Sequence, residues 1–157
     1  GCGTVTAALW ICPEHLTGEV EEILTDLDLH ASTSIFFVDE TRVDGGLGRA
    51  VGRWWDLPAI AARHQAFLSA YGSAVGDDMT PGQAFATWIG CLDAWRVIPY
   101  VDPGLPAAWL PADWPGNLSI PLFADLREQL EDLSGRYVRH VTSRPWSGVE
   151  PGSGATP

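Results

Sequence analysis

Trp95-Arg96-Val97-Ile98-Pro99-Tyr100-Val101-Asp102-Pro103-Gly104-Leu105-Pro106-Ala107-Ala108-Trp109-Leu110-Pro111-Ala112-Asp113-Trp114-Pro115-Gly116 is the stretch that decides how this chain folds. Its 22 residues hold five of the twelve prolines and three of the eight tryptophans. Proline fixes its own φ and pushes the preceding residue towards extended geometry, so neither regular helix nor central strand is expected here. The segment is also too apolar for a solvated loop, because Trp109, Leu110 and Trp114 would each forgo roughly 2–3 kcal/mol of burial in water. The reading that satisfies both constraints is a stiff strap lying over helices, with its indoles closing their open face.

Helical signals flank the strap. Asp56 is placed to N-cap a helix from Leu57 to about Val75, with Leu57, Ile60, Ala61, His64, Phe67, Leu68 and Tyr71 on one face. Thr80-Pro81-Gly82-Gln83 reads as a capping box with proline at the first helical position. It launches a helix that carries Phe85, Trp88, Ile89, Leu92 and Trp95 on one side. After the strap, Ser119 is the expected N-cap of a helix to about His140, with Leu122, Leu126, Leu130, Leu133, Tyr137 and Val141 inward. Gly135 argues against one straight helix there. Residues 142–157 form a Pro/Gly/Ser tail that is expected to be disordered.

The first 48 residues read differently. Residues 5–12 are expected to be a buried strand stopped by Pro13, and residues 33–38 a second strand. Between them Thr17 is placed to cap a helix over residues 18–27, with Val20, Ile23, Leu24 and Leu27 as its apolar stripe. Gly1-Cys2-Gly3-Thr4 reads as a turn, and Asp44-Gly45-Gly46-Leu47-Gly48 as a turn that bounds the unit.

The strap also carries a resemblance. Trp95-Arg96, the run Asp102-Pro103-Gly104-Leu105-Pro106 and the run from Leu110 to Gly116 resemble the C-terminal domain of the PaaX family, repressors of phenylacetate catabolism that respond to phenylacetyl-CoA. Trp109 stands where the family pattern has a leucine. Trp55-Asp56-Leu57 and the segment from Gly1 to Pro13 fit as well, so the resemblance runs from residue 1 to about Val141.

It implies an α+β fold: a truncated ferredoxin-like, Cas2-like β-α-β piece over residues 1–48, then an all-α domain over 49–141. It further implies a cytoplasmic homodimer with an acyl-CoA effector and no membrane partner. DNA would be read by a winged helix-turn-helix upstream of Gly1. Met79 being the sole methionine is in keeping with such an upstream part. The helix of Phe85 departs from the family pattern, with Trp88 in place of an arginine and Asp93-Ala94 in place of a His-Glu pair. If those positions recognise effector, the ligand differs from phenylacetyl-CoA.

Charge narrows the function. The net charge is −11, and every basic residue is arginine. Such a chain repels phosphate backbones and anionic membranes and by itself is a poor nucleic-acid binder. Three cysteines, Cys2, Cys12 and Cys91, are an odd number at wide spacing, which argues against a disulfide framework and fits a reducing cytosol. The four histidines are scattered, and no zinc spacing is present, so no metal site and no cofactor are expected.

No nucleophile motif is visible, and no catalytic residue is assigned. Asp77-Asp78 reads as a solvated helix terminator rather than an acid/base dyad, and Gly45-Gly46-Leu47-Gly48 lacks the context of a phosphate cradle. His64 reads as a core histidine satisfied by one hydrogen bond, with ligand contact as the functional alternative. Arg96 and Asp102 read as an ion pair, or Asp102 as a cap for the Asp-Pro turn. The functional alternative has Arg96 facing a pocket and meeting the phosphate or carbonyl of an acyl-CoA.

Trp10, Trp88 and Trp114 are assigned to the core, whereas Trp54, Trp55 or Trp109 could wall a ligand. The effector-binding candidates are therefore Arg96, Trp95, His64, Trp55 and Trp109. Asp102, Pro103, Pro106, Trp114, Pro115 and Gly116 are the structural strap. A small acyl-CoA-handling enzyme, thioesterase-like with a tryptophan-lined cleft, is the alternative from a different class.

Overall fold

The computed structural model describes residues 1–76 and 78–143. Asp77 and the tail expectation for residues 144–157 lie outside the described residues. The chain is mostly helical, with one small antiparallel sheet, in keeping with an α+β class.

Two strands, β1 (Gly3–Thr6) and β2 (Leu9–Ile11), pair Gly3 with Ile11 and Thr4 with Trp10. The expectation of one strand over residues 5–12 is thus corrected to a hairpin that turns at Ala7-Ala8, where Ala8 takes φ 64°. The expected turn at residues 1–4 gives way to β1 by the same fold-back. It also corrects the cysteine reading. A single strand would hold Cys2 and Cys12 far apart, but the hairpin sets them opposite each other, and they form a disulfide.

Helix α1 (Thr17–Asp26) follows, with Leu16 rather than Thr17 at its N-cap. None of its residues is buried, and Ile23 and Leu27 of the expected stripe are exposed. Residues 33–38 are not a strand, and Ile35, Phe36, Phe37 and Val38 all face solvent. Their β-branched and aromatic side chains favour a pleated surface only where a neighbouring strand supplies one, and no described strand lies beside them. Trp10, assigned to the core from sequence, is 64 % exposed.

The helical part begins with α2 (Leu47–Trp54), which starts inside the glycine turn expected at residues 44–48. Helix α3 (Leu57–Tyr71) has the expected cap, with Asp56 accepting from the Ala59 N–H at 3.1 Å. Helix α4 (Pro81–Trp95) opens on the complete capping box of Thr80 and Gln83. Its inward face is Ala84, Trp88 and Cys91, with Trp95 half-buried, while Ile89 and Leu92 point outward. That is a rotation of the expected stripe.

The strap contains one turn of helix, α5 (Ile98–Val101), with Pro99 in its first turn, where a missing N–H costs nothing. Helix α6 (Gly116–Thr142) is continuous through Gly135 and starts three residues before the expected cap Ser119. Pro115 sits at its N-cap, and the first amides bond to the Trp114 and Pro115 carbonyls.

Two apolar clusters result. One joins α3, α4, α5 and α6 through Phe67, Trp88, Cys91, Ile98, Leu126 and Leu130. The other joins Val51, Trp55, Ile60 and Trp114, with Ile11 from the hairpin and Leu105, Trp109 and Leu110 from the strap packed against it. The strap therefore does what its composition demands, since Trp114 is only 4 % exposed and plugs the second cluster.

Candidate functional site

The seam between the two clusters is polar. Here α3 contributes His64, the strap Asp102 and α6 Ser119. His64 Nε2 lies 2.8 Å from Asp102 Oδ2, and His64 Nδ1 lies 2.6 Å from Ser119 Oγ. His64 and Ser119 are inaccessible to solvent. An ionised carboxylate can only accept, so Nε2 carries the proton that faces Asp102.

Asp102 makes a further bond, accepting from the Gly104 N–H at 2.8 Å, which fixes the Asp-Pro turn. Burial works against its charge, but the hydrogen bonds from His64 and Gly104, together with nearby positive charge, outweigh burial and hold the carboxyl below the usual aspartate range. The turn-capping reading of Asp102 is borne out. The Arg96 ion pair is not: Arg96 bonds Asp93 at 3.0 Å on the surface instead.

Two indoles flank the imidazole, with ring centroids at 5.7 Å for Trp114 and 6.4 Å for Trp95. Trp95 in turn stacks on Phe123 at 4.4 Å. Serine, histidine and aspartate in contact invite comparison with a nucleophilic triad, but the arrangement cannot act as one on an entering substrate. Ser119 is sealed inside a helix, and the carboxylate sits on Nε2 with the serine on Nδ1, the reverse of the usual order. What it can do is fasten the strap to two helices, because each member would be a buried unpaired polar group without the others. Cys91, buried in the first cluster, is unreactive for a related reason: burial pushes its thiol up to about 11.

Two concavities are open to solvent. A cleft of about 400 Å³ lies between α3 and the α4–α5 segment, floored by Phe67 and Ile98 and rimmed by Arg63, Tyr71 and Asp93. Burial, followed by the neighbouring Cys91 and Asp93, holds the Tyr71 phenol above its ordinary range, so it meets the cleft as a neutral hydroxyl. A shallower groove of about 310 Å³ is lined by Glu40, Thr41, Leu47, Gly48 and Trp109.

The sequence-predicted ligand residues do not converge on either concavity. His64 and Trp95 meet at the buried seam, Trp55 is in the second cluster, and Trp109 lines the groove. Arg96 stands outside both linings and reaches the cleft rim only through Asp93. Sequence reasoning missed Ser119, which it took for a cap, and Arg63, whose only signal was a lone cation one residue from His64 on a largely apolar helix. Among the described residues, no group of three or more His, Cys, Asp or Glu could hold a metal ion. No helix of the described residues is long and apolar enough to cross a membrane.

The structure is a helical module closed by an indole-bearing strap, with a His64-Asp102-Ser119 cluster sealed in the packing between strap and helices. The model of the PaaX-like protein C-terminal domain matches residues 55–140, more than half of the chain, so the chain belongs to the PaaX-like family of transcriptional regulators. The match spans α3, α4, the strap and nearly all of α6. No match was found among curated proteins or among solved structures.

Proposed function

We propose that this chain is the effector-sensing and dimerising part of a PaaX-like repressor of aromatic-acid degradation genes, with an acyl-CoA such as phenylacetyl-CoA as effector. In this reading operator DNA is bound by the winged helix of the whole repressor, and the strands that would complete the Cas2-like piece belong to the same upstream part. The observation that carries the reading is the coincidence of the family match with the strap and the seam it closes.

The cleft beside the strap is the effector's place in this reading. Its apolar floor suits a phenyl or acyl group, and Arg63, with Arg96 held at the rim by Asp93, offers cations to the phosphates or carbonyl of an acyl-CoA in a chain of net charge −11. The mechanism is linkage: an effector that prefers one arrangement of the strap and helices over the DNA-competent one lowers operator affinity by that preference. The test is operator binding by the full-length protein with and without phenylacetyl-CoA and other acyl-CoAs. A drop in affinity of about tenfold, blunted by Arg63→Ala, is expected. Operator affinity unmoved by every acyl-CoA tested overturns the effector assignment.

A further inference from the structure

The Cys2–Cys12 bridge is the one crosslink among the described residues, and it closes the open end of the two-stranded sheet. The two cysteines extend the β1–β2 ladder by one pair beyond Gly3 and Ile11, with Cα atoms 4.3 Å apart, the spacing of a directly opposed pair without mutual hydrogen bonds. Cys2 is exposed and Cys12 half-exposed, whereas the free Cys91 is fully buried. Small thiols and disulfides therefore reach the pair and not the third cysteine.

The hairpin has little else to hold it. Strands of four and three residues in a two-stranded sheet are marginal in water without further support. Yet this hairpin is wired to the seam. The Gly1 nitrogen donates to the Asp102 carbonyl at 2.6 Å, and Trp55 Nε1 donates to the Gly1 carbonyl at 3.2 Å. Gly3 lies so close to Trp55 that an added Cβ would stand 2.8 Å from the indole. Cys2 thus sits between the two residues that dock the hairpin on the strap and on the second cluster.

We propose that Cys2 and Cys12 are a reversible thiol–disulfide site for glutathione-type disulfides, and that its state sets how firmly the hairpin holds the strap at Asp102. The argument rests on the regulator reading, because a protein that acts on DNA works among thiols kept reduced, where disulfides are transient and redox-sensing rather than permanent. The chemistry balances in two exchanges. One cysteine thiolate attacks the small disulfide, forming a mixed disulfide and releasing one small thiolate. The second cysteine then attacks the protein sulfur of that mixed disulfide and releases the other. The protein loses two hydrogens as the small disulfide becomes two thiols. Excess small thiol reverses both steps.

The test equilibrates the whole chain across ratios of reduced to oxidised glutathione, traps free thiols by alkylation and locates them by mass spectrometry. Cys91 serves as the internal unreactive control. Amide hydrogen exchange is read on the same samples. Cys2 and Cys12 are expected to convert together within the glutathione range. On reduction, exchange of the hairpin amides and of the strap amides Gly104 and Trp109 quickens by about tenfold or more. A Cys2→Ser/Cys12→Ser variant is expected to show the faster exchange at every ratio, with helical circular dichroism unchanged.

A bridge that survives excess reduced glutathione, cysteines that never pair, or pairing that leaves strap exchange unmoved each overturns the proposal. If the double variant loses its helical signal, the wild-type titration still decides, since it needs no variant. No DNA or effector enters the measurement, so failure here leaves the regulator reading to its own test.

Discussion

His64 Nε2 and Asp102 Oδ2 stand 2.8 Å apart at a seam from which solvent is all but excluded, one on α3 and the other on the strap. Asp102→Ala takes the acceptor away from two donors, the His64 Nε2–H and the Gly104 N–H. It is therefore expected to lower stability by about 2–4 kcal/mol in urea unfolding. The double change His64→Ala/Asp102→Ala should cost clearly less than the sum of the two single changes. Additive losses would show that the pair is not coupled.

The same pair gives a pH signature. Burial pushes the folded Asp102 carboxyl up, but the bonds from His64 and Gly104, together with nearby positive charge, leave it below its ordinary value of 3.8. A carboxyl depressed in the folded state contributes its stabilisation in full above the unfolded value and loses it as pH falls through the folded one. The stability gap between the wild-type chain and Asp102→Asn should hold at neutral pH and close in strong acid, below the ordinary value. A gap constant down to the acid limit would contradict the assignment.

Ser119 makes the weaker half of the seam. Ser119→Ala strands His64 Nδ1 in a dry site, at a cost of about 1–3 kcal/mol by chemical denaturation. Were Ser119 merely the helix cap its sequence context suggests, the loss would come with fraying of the start of α6. The structure instead predicts that α6 helicity is kept.

These positions show which features local sequence reveals. Asp56 and the Thr80–Gln83 box announce their helices because each acts on amides within three residues. The Pro/Trp composition of the strap likewise announces a rigid cover. Ser119 was misread because its partner is 55 residues away, and nothing in the local pattern distinguishes a cap from a buried bond. The hairpin was hidden because Ala7-Ala8 carries none of the glycine or asparagine that marks a tight turn, and missing it also hid the disulfide. Arg63 and Asp93 share a cleft only once α3 and α4 are packed.

Gly116 tests the closeness of the strap to the seam. A Cβ there would lie 2.5 Å from Trp114 Nε1 and 3.4 Å from His64 Cε1. Trp114 is buried among the second cluster, so its indole can yield only by disturbing those neighbours. Gly116→Ala should therefore destabilise by about 1–3 kcal/mol, although alanine is the better helix former. Stabilisation by this change would mean that the indole is not where the structure puts it. Trp114→Ala should cost more, about 3–5 kcal/mol, by emptying the second cluster.

Phe36 and Phe37 make the opposite case, large apolar side chains that contribute nothing to the folded chain. They are 80 % and 79 % exposed, outside both apolar clusters. Phe36→Ser/Phe37→Ser is expected to shift unfolding stability by less than about 0.5 kcal/mol, the range of surface changes without a buried role. The same change should reduce self-association in sedimentation, because it removes a contiguous exposed apolar run. A loss of stability of the size predicted for Trp114→Ala would place these rings in a core and restore the strand that their composition suggests.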